Sequence, residues 1–109
     1  MENIDIQIVG YDSALQKKSV ELRYKVLREP LGLVYTAEQL AAEKDEIHIV
    51  AVQNNEVLGV VVLKKIDEKT LKMRQVAVDA NYQKFGIGKK MVIFSEQYAI
   101  ENNFSVIEL

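Results

Sequence analysis

Met73-Arg74-Gln75-Val76-Ala77-Val78-Asp79-Ala80-Asn81-Tyr82-Gln83-Lys84-Phe85-Gly86-Ile87-Gly88-Lys89-Lys90 is the stretch on which the reading of this chain turns. A β-rich run from Leu71 closes on Val76-Ala77-Val78, a polar loop follows from Asp79 to Phe85, and two glycines open a segment striped with apolar residues. That stripe, Ile87, Met91, Phe94 and Tyr98, recurs at spacings of four, three and four, which predicts an amphipathic helix from about Gly86 to Asn102. The first turn of a helix leaves backbone N–H groups without partners, and the helix dipole adds partial positive charge there. Gly86 and Gly88 present no side chain that would keep a bulky anion off that backbone, and Lys84, Lys89 and Lys90 add charge nearby. Together they have the construction of a phosphate-binding helix N-terminus. The same glycine pair also suits simple tight packing of helix on sheet. It is neither the dinucleotide fingerprint, since the third glycine is missing, nor a P-loop, which needs Gly-Lys-Ser/Thr at its end.

Working outward, Ile4, Ile6 and Ile8 alternate with Asp5 and Gln7 and predict a half-buried strand ending at Val9. Asp12 or Ser13 can cap a helix running to about Arg28, with Leu15, Ser19, Leu22 and Val26 as its inner stripe. Glu29-Pro30-Leu31-Gly32 ends it, because the residue before a proline avoids helical geometry. Thr36-Ala37-Glu38-Gln39 reads as a capping box for a short helix to about Lys44. Strands follow at Ile47–Val52, Val57–Ile66 and Leu71–Val78, joined by the polar turns Gln53–Glu56 and Asp67–Thr70. A final β-rich run spans Phe104–Leu109. The order β-α-α-β-β-β-α-β predicts an α+β fold: a mixed, mostly antiparallel sheet with helices on both faces. The strand–helix–strand unit over residues 71–109 makes its two strands parallel.

The 109 residues suit a single domain, 1–109. A net charge of −2 with both signs dispersed points to neither a nucleic-acid nor a membrane partner. The absence of cysteine removes disulfides, thiolate ligands and a cysteine nucleophile, and the lone histidine leaves no metal site to expect. The N-terminus is not built as a signal peptide, so the expected location is cytoplasmic.

Gln83-Lys84-Phe85-Gly86-Ile87-Gly88 matches the pattern Gln/Arg-x-x-Gly-x-Gly/Ala of the GNAT superfamily of N-acyltransferases, in the strand-to-helix context that pattern requires. Leu22-Arg23-Tyr24-Lys25-Val26-Leu27-Arg28-Glu29-Pro30-Leu31-Gly32 is similar to the first-helix segment of small bacterial members, so the resemblance covers about residues 4–109. It implies that acetyl-CoA or coenzyme A is bound. The backbone of Val76, Ala77 and Val78 would pair with the pantetheine arm. The motif Gln83 to Gly88, with the amides of Phe85, Gly86, Ile87, Gly88 and Lys89 and the charge of Lys84, would hold the pyrophosphate. The implied reaction is acetyl transfer to a primary amine, on a small molecule or a peptide. The alternative is a non-catalytic acyl-CoA-binding module, or a shortened relative or fragment of such an enzyme. A nucleotide-binding domain is a third reading.

The first helix and the loop after it are implied to wall the acceptor site. Glu29 is the candidate general base, or else a surface carboxylate. Arg23 and Arg28 are candidate carboxylate ligands, or else ordinary solvated helix positions. Arg74 and Gln75 are candidate acceptor contacts, of which strand alternation allows at most one to face the cleft. His48 is a conceivable base, or else a strand histidine with a satisfied hydrogen bond. Complete members of the family continue beyond the strand that Phe104–Leu109 resembles with a helix and two further strands. That helix carries a tyrosine near the coenzyme sulfur. No residue here matches it, so the sequence is expected to lack that last part, and Tyr82 and Tyr98 do not take its role. The open sheet edge this leaves makes a second copy of the chain one expected partner.

Overall fold

The computed structural model describes residues 3–109. Its elements are β1 (Asp5–Val9), α1 (Ala14–Arg23), α2 (Ala37–Ala41), β2 (Ile47–Gln53), β3 (Glu56–Lys65), β4 (Thr70–Val78), α3 (Ile87–Glu101) and β5 (Val106–Glu108). The strands form one sheet in the order β1-β2-β3-β4-β5. β1 to β4 pair antiparallel, and β5 lies parallel to β4 because α3 carries the chain back across the sheet. The expected α+β architecture is therefore present.

Alternation along the central strands divides the core between two faces. Ile49, Ala51, Val61, Leu63, Leu71 and Met73 pack with Ile87, Met91 and Ala99 of α3. Val50, Val60 and Val62 pack with Leu22 of α1. Both sides of β2 and β3 are thus buried, which is why these strands read as continuous apolar runs. At the edge, Ile8 of β1 is 47% exposed, although the isoleucine alternation would place it inward with Ile4 and Ile6.

Helix starts follow local chemistry. Ser13 caps α1 by accepting the Gln16 N–H at 3.2 Å, while Asp12 adopts a left-handed φ of 68°. Thr36 and Gln39 form the expected capping box on α2. On α3 the fully or nearly buried line is Ile87, Met91, Ser95 and Ala99, with Phe94 and Tyr98 on its partly buried shoulder. The small residues lie where helix and sheet approach closely. A Cβ on Gly59 of β3 would stand 2.8 Å from Met91 Cε and 2.9 Å from Ile87 Cγ2.

The first helix departs from expectation at its end. Its α geometry stops at Arg23, and Tyr24–Arg28 form a π turn in which the Glu29 N–H donates to the Tyr24 carbonyl. A 3₁₀ turn, Glu29–Leu31, follows with Pro30 inside it, and Gly32 closes it at φ 69°. Among the described residues no helix is long and apolar enough to cross a membrane.

Candidate active site

β4 is not a regular strand. Val60 faces Ala77 and Val62 faces Arg74, so Gln75 and Val76 together oppose the single residue Val61. Gln75 is the residue that gives way, at φ 53°. This is a β-bulge, and it slips the phase of the strand by one residue. Leu71 and Met73 pack on the α3 side, whereas Ala77 packs in the α1-side cluster. One consequence corrects the alternation argument: Arg74 and Gln75 line the same cavity instead of opposite faces. A left-handed backbone at a non-glycine residue costs on the order of 1–3 kcal/mol and needs support from its surroundings. Here the Tyr35 hydroxyl donates to Gln75 Oε1 at 2.7 Å.

Beyond Lys72, β4 has an open side. β5 pairs with it only at Thr70, Leu71 and Lys72. The backbone groups that point away from β3 between Met73 and Val78 therefore have no strand partner among the described residues. This open edge faces the start of α3. Asp79 accepts the Asn81 N–H at 2.9 Å and turns the chain into the 3₁₀ segment Ala80–Phe85. Gly86 then reverses it at φ 71°, a conformation that costs other residues about 1–2 kcal/mol. A cleft of about 380 Å³ lies between the two elements, lined by Val76, Ala77, Val78, Gln83, Gly86, Gly88 and Lys89, with Val26 of the π turn on its far wall. A Cβ at Gly88 would make only ordinary contact, 3.8 Å from Val78 Cγ2, so packing alone does not demand glycine there. Of the other motif residues, the Ile87 side chain is fully buried in the core, and Lys84 and Phe85 are exposed beside the cleft.

A second cavity, about 190 Å³, adjoins the first along β4 and the π turn. Arg28, Tyr35, Gln39, Ala42, Glu43, Arg74 and Gln75 line it. The structure separates the candidate residues here. Arg23 is fully buried, and Nη1 and Nη2 each donate to Glu43 at 2.7 Å. Burial lowers the Arg23 pKa, but the bond to Glu43, helped by Tyr35, outweighs it and holds the guanidinium above its ordinary value. Arg23 is thus a structural cation and not a solvated helix position, because its fork is already filled. Arg74 is paired with Glu46 at 2.7 Å. Arg28 lies with its guanidinium carbon 4.5 Å from the centre of the Tyr35 ring, and Arg23 lies 4.7 Å from the same ring. Glu29, the candidate general base or else surface carboxylate, is exposed on the 3₁₀ turn and lines neither cavity. His48 is buried, with Nε2 2.9 Å from the Glu43 carbonyl, and its Nδ1 has no partner among the described residues. Among the described residues no three His, Asp or Glu gather as a metal site.

Sequence reasoning missed Tyr35, Glu43 and Glu46. Tyr35 had a signal: it precedes the capping Thr36, and Leu40 stands four residues into the helix, the spacing of a hydrophobic staple. Both line an apolar groove between α1 and α2. Glu43 and Glu46 had none, since their partners lie 20 and 28 residues away.

Residues 14–109 match the model of the acetyltransferase (GNAT) family. The chain belongs to this family. A search among curated proteins finds no match to its sequence. Solved structures share the GNAT fold. An aminoglycoside acetyltransferase from an uncultured soil metagenomic sample, in complex with sisomicin, superposes with a TM-score of 0.76 at 23% identity, covering 95% of this chain and 74% of its own. An IAA acetyltransferase from Bacillus cereus gives 0.73 at 23% identity, over 96% of this chain and 65% of its own. A GNAT family acetyltransferase from Elizabethkingia anophelis with acetyl-CoA bound gives 0.73 at 21% identity, over 98% and 65%. At these identities the likeness is one of fold.

Proposed function

We propose that this GNAT chain transfers an acetyl group from acetyl-CoA to a primary amine. One observation carries the reading: the unpartnered edge of β4 beyond Lys72 opens onto the glycine-lined start of α3. Residues suited to the coenzyme are present on both walls. The free N–H and C=O groups between Met73 and Val78 suit the amide-bearing pantetheine arm. The first-turn amides of α3, with Gln83 and Lys89 beside them, suit the pyrophosphate. Acetyl-CoA supplies the activated acyl group. The chain's own part is to hold the thioester end near the bulge, to offer a backbone N–H to the developing oxyanion, and to hold the amine where it can attack in its neutral form. As the C–N bond forms the C–S bond breaks, and coenzyme A leaves as a thiol once its sulfur takes up a proton to balance the one the amine gives up. The bulge sits where the coenzyme cleft meets the Arg28 cavity, so the amine approaches from that cavity. The expected location of the chain is the cytoplasm.

A thermal-shift titration with acetyl-CoA, coenzyme A and ATP tests this, combined with detection of acetylated product. A coenzyme at 100 times its dissociation constant should add about 2.7 kcal/mol of stability. Gly88→Glu is the informative variant, because helical backbone and open space at that position tolerate the side chain while it fills the cleft. Shifts with both coenzyme ligands, lost in Gly88→Glu with the apo melting unchanged, support the reading. An equal response to ATP, or none to either coenzyme in a folded sample, overturns it. Binding without acetylated product across an amine panel supports the non-catalytic acyl-CoA-binding alternative.

A further inference from the structure

We infer that the amine acceptor carries a carboxylate and that Arg28 binds it in the cavity formed with Tyr35, Gln39, Arg74 and Gln75. The inference rests on the transferase reading and names the acceptor class of the same site. The argument is one of charge. Three guanidinium groups meet around this cavity, Arg23, Arg28 and Arg74. Two carboxylates answer them: Glu43 is bonded through both oxygens to Arg23, and Glu46 is bonded to Arg74. Among the described residues no carboxylate pairs with Arg28, and one positive charge is left over on the cavity wall. Arg28 is not loose. Its half-buried side chain is laid against the Tyr35 ring, and the Tyr35 hydroxyl is in turn tied to Gln75 at 2.7 Å. A guanidinium held in place with its N–H fork unfilled is suited to a planar, singly charged partner, which is a carboxylate.

Position and size agree. Val26 lines the coenzyme cleft and Arg28 the second cavity, two residues apart on one turn. Val76 lines the cleft and Gln75 the cavity, side by side in the bulge. With the pyrophosphate held at α3 and the pantetheine paired along β4, as the transferase reading has it, the acyl end would lie towards the boundary between the two. An acceptor anchored at Arg28 then presents its amine at that boundary. At about 190 Å³ the cavity is half the volume of the adjoining cleft, which suits a small acceptor such as an amino acid. A polycationic acceptor would meet an unpaired cation there.

The experiment has two arms. In the first, the full chain is titrated calorimetrically, with and without coenzyme A, with N-acetylglycine, N-acetylglutamate and N-acetylphenylalanine. The uncharged counterparts N-methylacetamide and N-phenethylacetamide, and O-phosphoethanolamine, are run beside them. In the second, thiol release from acetyl-CoA is compared for amino acids and their decarboxylated amines, with sisomicin as a polyamine control. At least one carboxylate should bind tenfold or more tightly than its uncharged counterpart. Arg28→Gln should abolish that preference, Arg28→Lys should restore part of it, and the coenzyme A thermal shift should survive in both. Absence of carboxylate binding, an unchanged preference in Arg28→Gln, or tighter binding of the phosphate ester or faster turnover of sisomicin each overturns the inference. The coenzyme shift is read separately, so failure of the carboxylate arm leaves the transferase reading standing, and failure of the shift does not.

Discussion

The cleft at the start of α3 and the cavity around Arg28 lie side by side on β4, yet they are made by different means. The cleft is mostly backbone. Its walls come from one continuous stretch, Val76 to Lys89, and only Val26 is imported. The cavity is mostly side chain, assembled from the π turn, the α2 segment and the bulge, with charges paired across 20 and 28 residues. A backbone site depends on where glycine permits approach and on which strand edge is left open. A side-chain site depends on every ion pair that keeps its members in place. The comparison predicts that the cleft and the cavity can fail separately.

The sharpest way to separate them is at Arg23. Arg23→Ala leaves the Glu43 carboxylate, 4% exposed, without its partner. The expected loss is about 3–5 kcal/mol, read from urea unfolding. A loss below about 1 kcal/mol would mean that the pair does not hold α1 to the α2 segment, and the cavity would need another explanation. On the cleft side, Gly59→Ala should cost about 1–3 kcal/mol, since its Cβ would press on Ile87 and Met91 and push α3 off the sheet. Its effect on coenzyme binding should exceed its effect on carboxylate binding. The reverse order would break the division between the two regions.

Tyr35→Phe is milder. It keeps the ring beside Arg28 but removes the bond to Gln75, at an expected cost of about 0.5–1.5 kcal/mol. It should raise the acceptor KM and leave the coenzyme thermal shift intact. An equal loss of coenzyme binding would show that the bulge needs Tyr35 to keep its shape. The smallest effect is expected far from both regions, in the β3–β4 turn. The Lys69 N–H and the Thr70 side chain hold the Asp67 carboxyl below its ordinary 3.8. A group with a depressed folded pKa stabilises above its unfolded value and stops doing so as pH falls through its folded value. Wild type should therefore exceed Asp67→Asn in urea midpoint near neutral pH, and the gap should close as the pH drops below 3.8. A gap independent of pH would show that the carboxylate charge is not involved.

Much of this molecule is legible in its sequence. The meander, the parallel last strand, the capping box at Thr36 and the helix opening at Gly86 all rest on local chemistry. Alternation, helical periodicity, cap spacing and glycine placement act within a few residues of one another. The end of the first helix was not, because the π segment Tyr24–Arg28 is about one turn long, too short for its wider period to show in the apolar pattern. Glu29 stayed open between general base and surface carboxylate because sequence shows that a carboxylate follows the helix, not which way the turn aims it.

The sequence by itself determined the order of elements, the two-faced apolar core, and the one site built from contiguous backbone. Only the tertiary structure decided that Arg23 is spent on Glu43 while Arg28 meets no carboxylate among the described residues, and that Arg74 and Gln75 share a wall. The reason is physical. Alternation is a property of one strand, but a bulge is a property of how two strands pair, and it arises where β4 carries two residues against Val61 of β3. Likewise a charge is visible in the sequence, but whether it is already neutralised depends on which distant residue the fold brings within 2.7 Å of it.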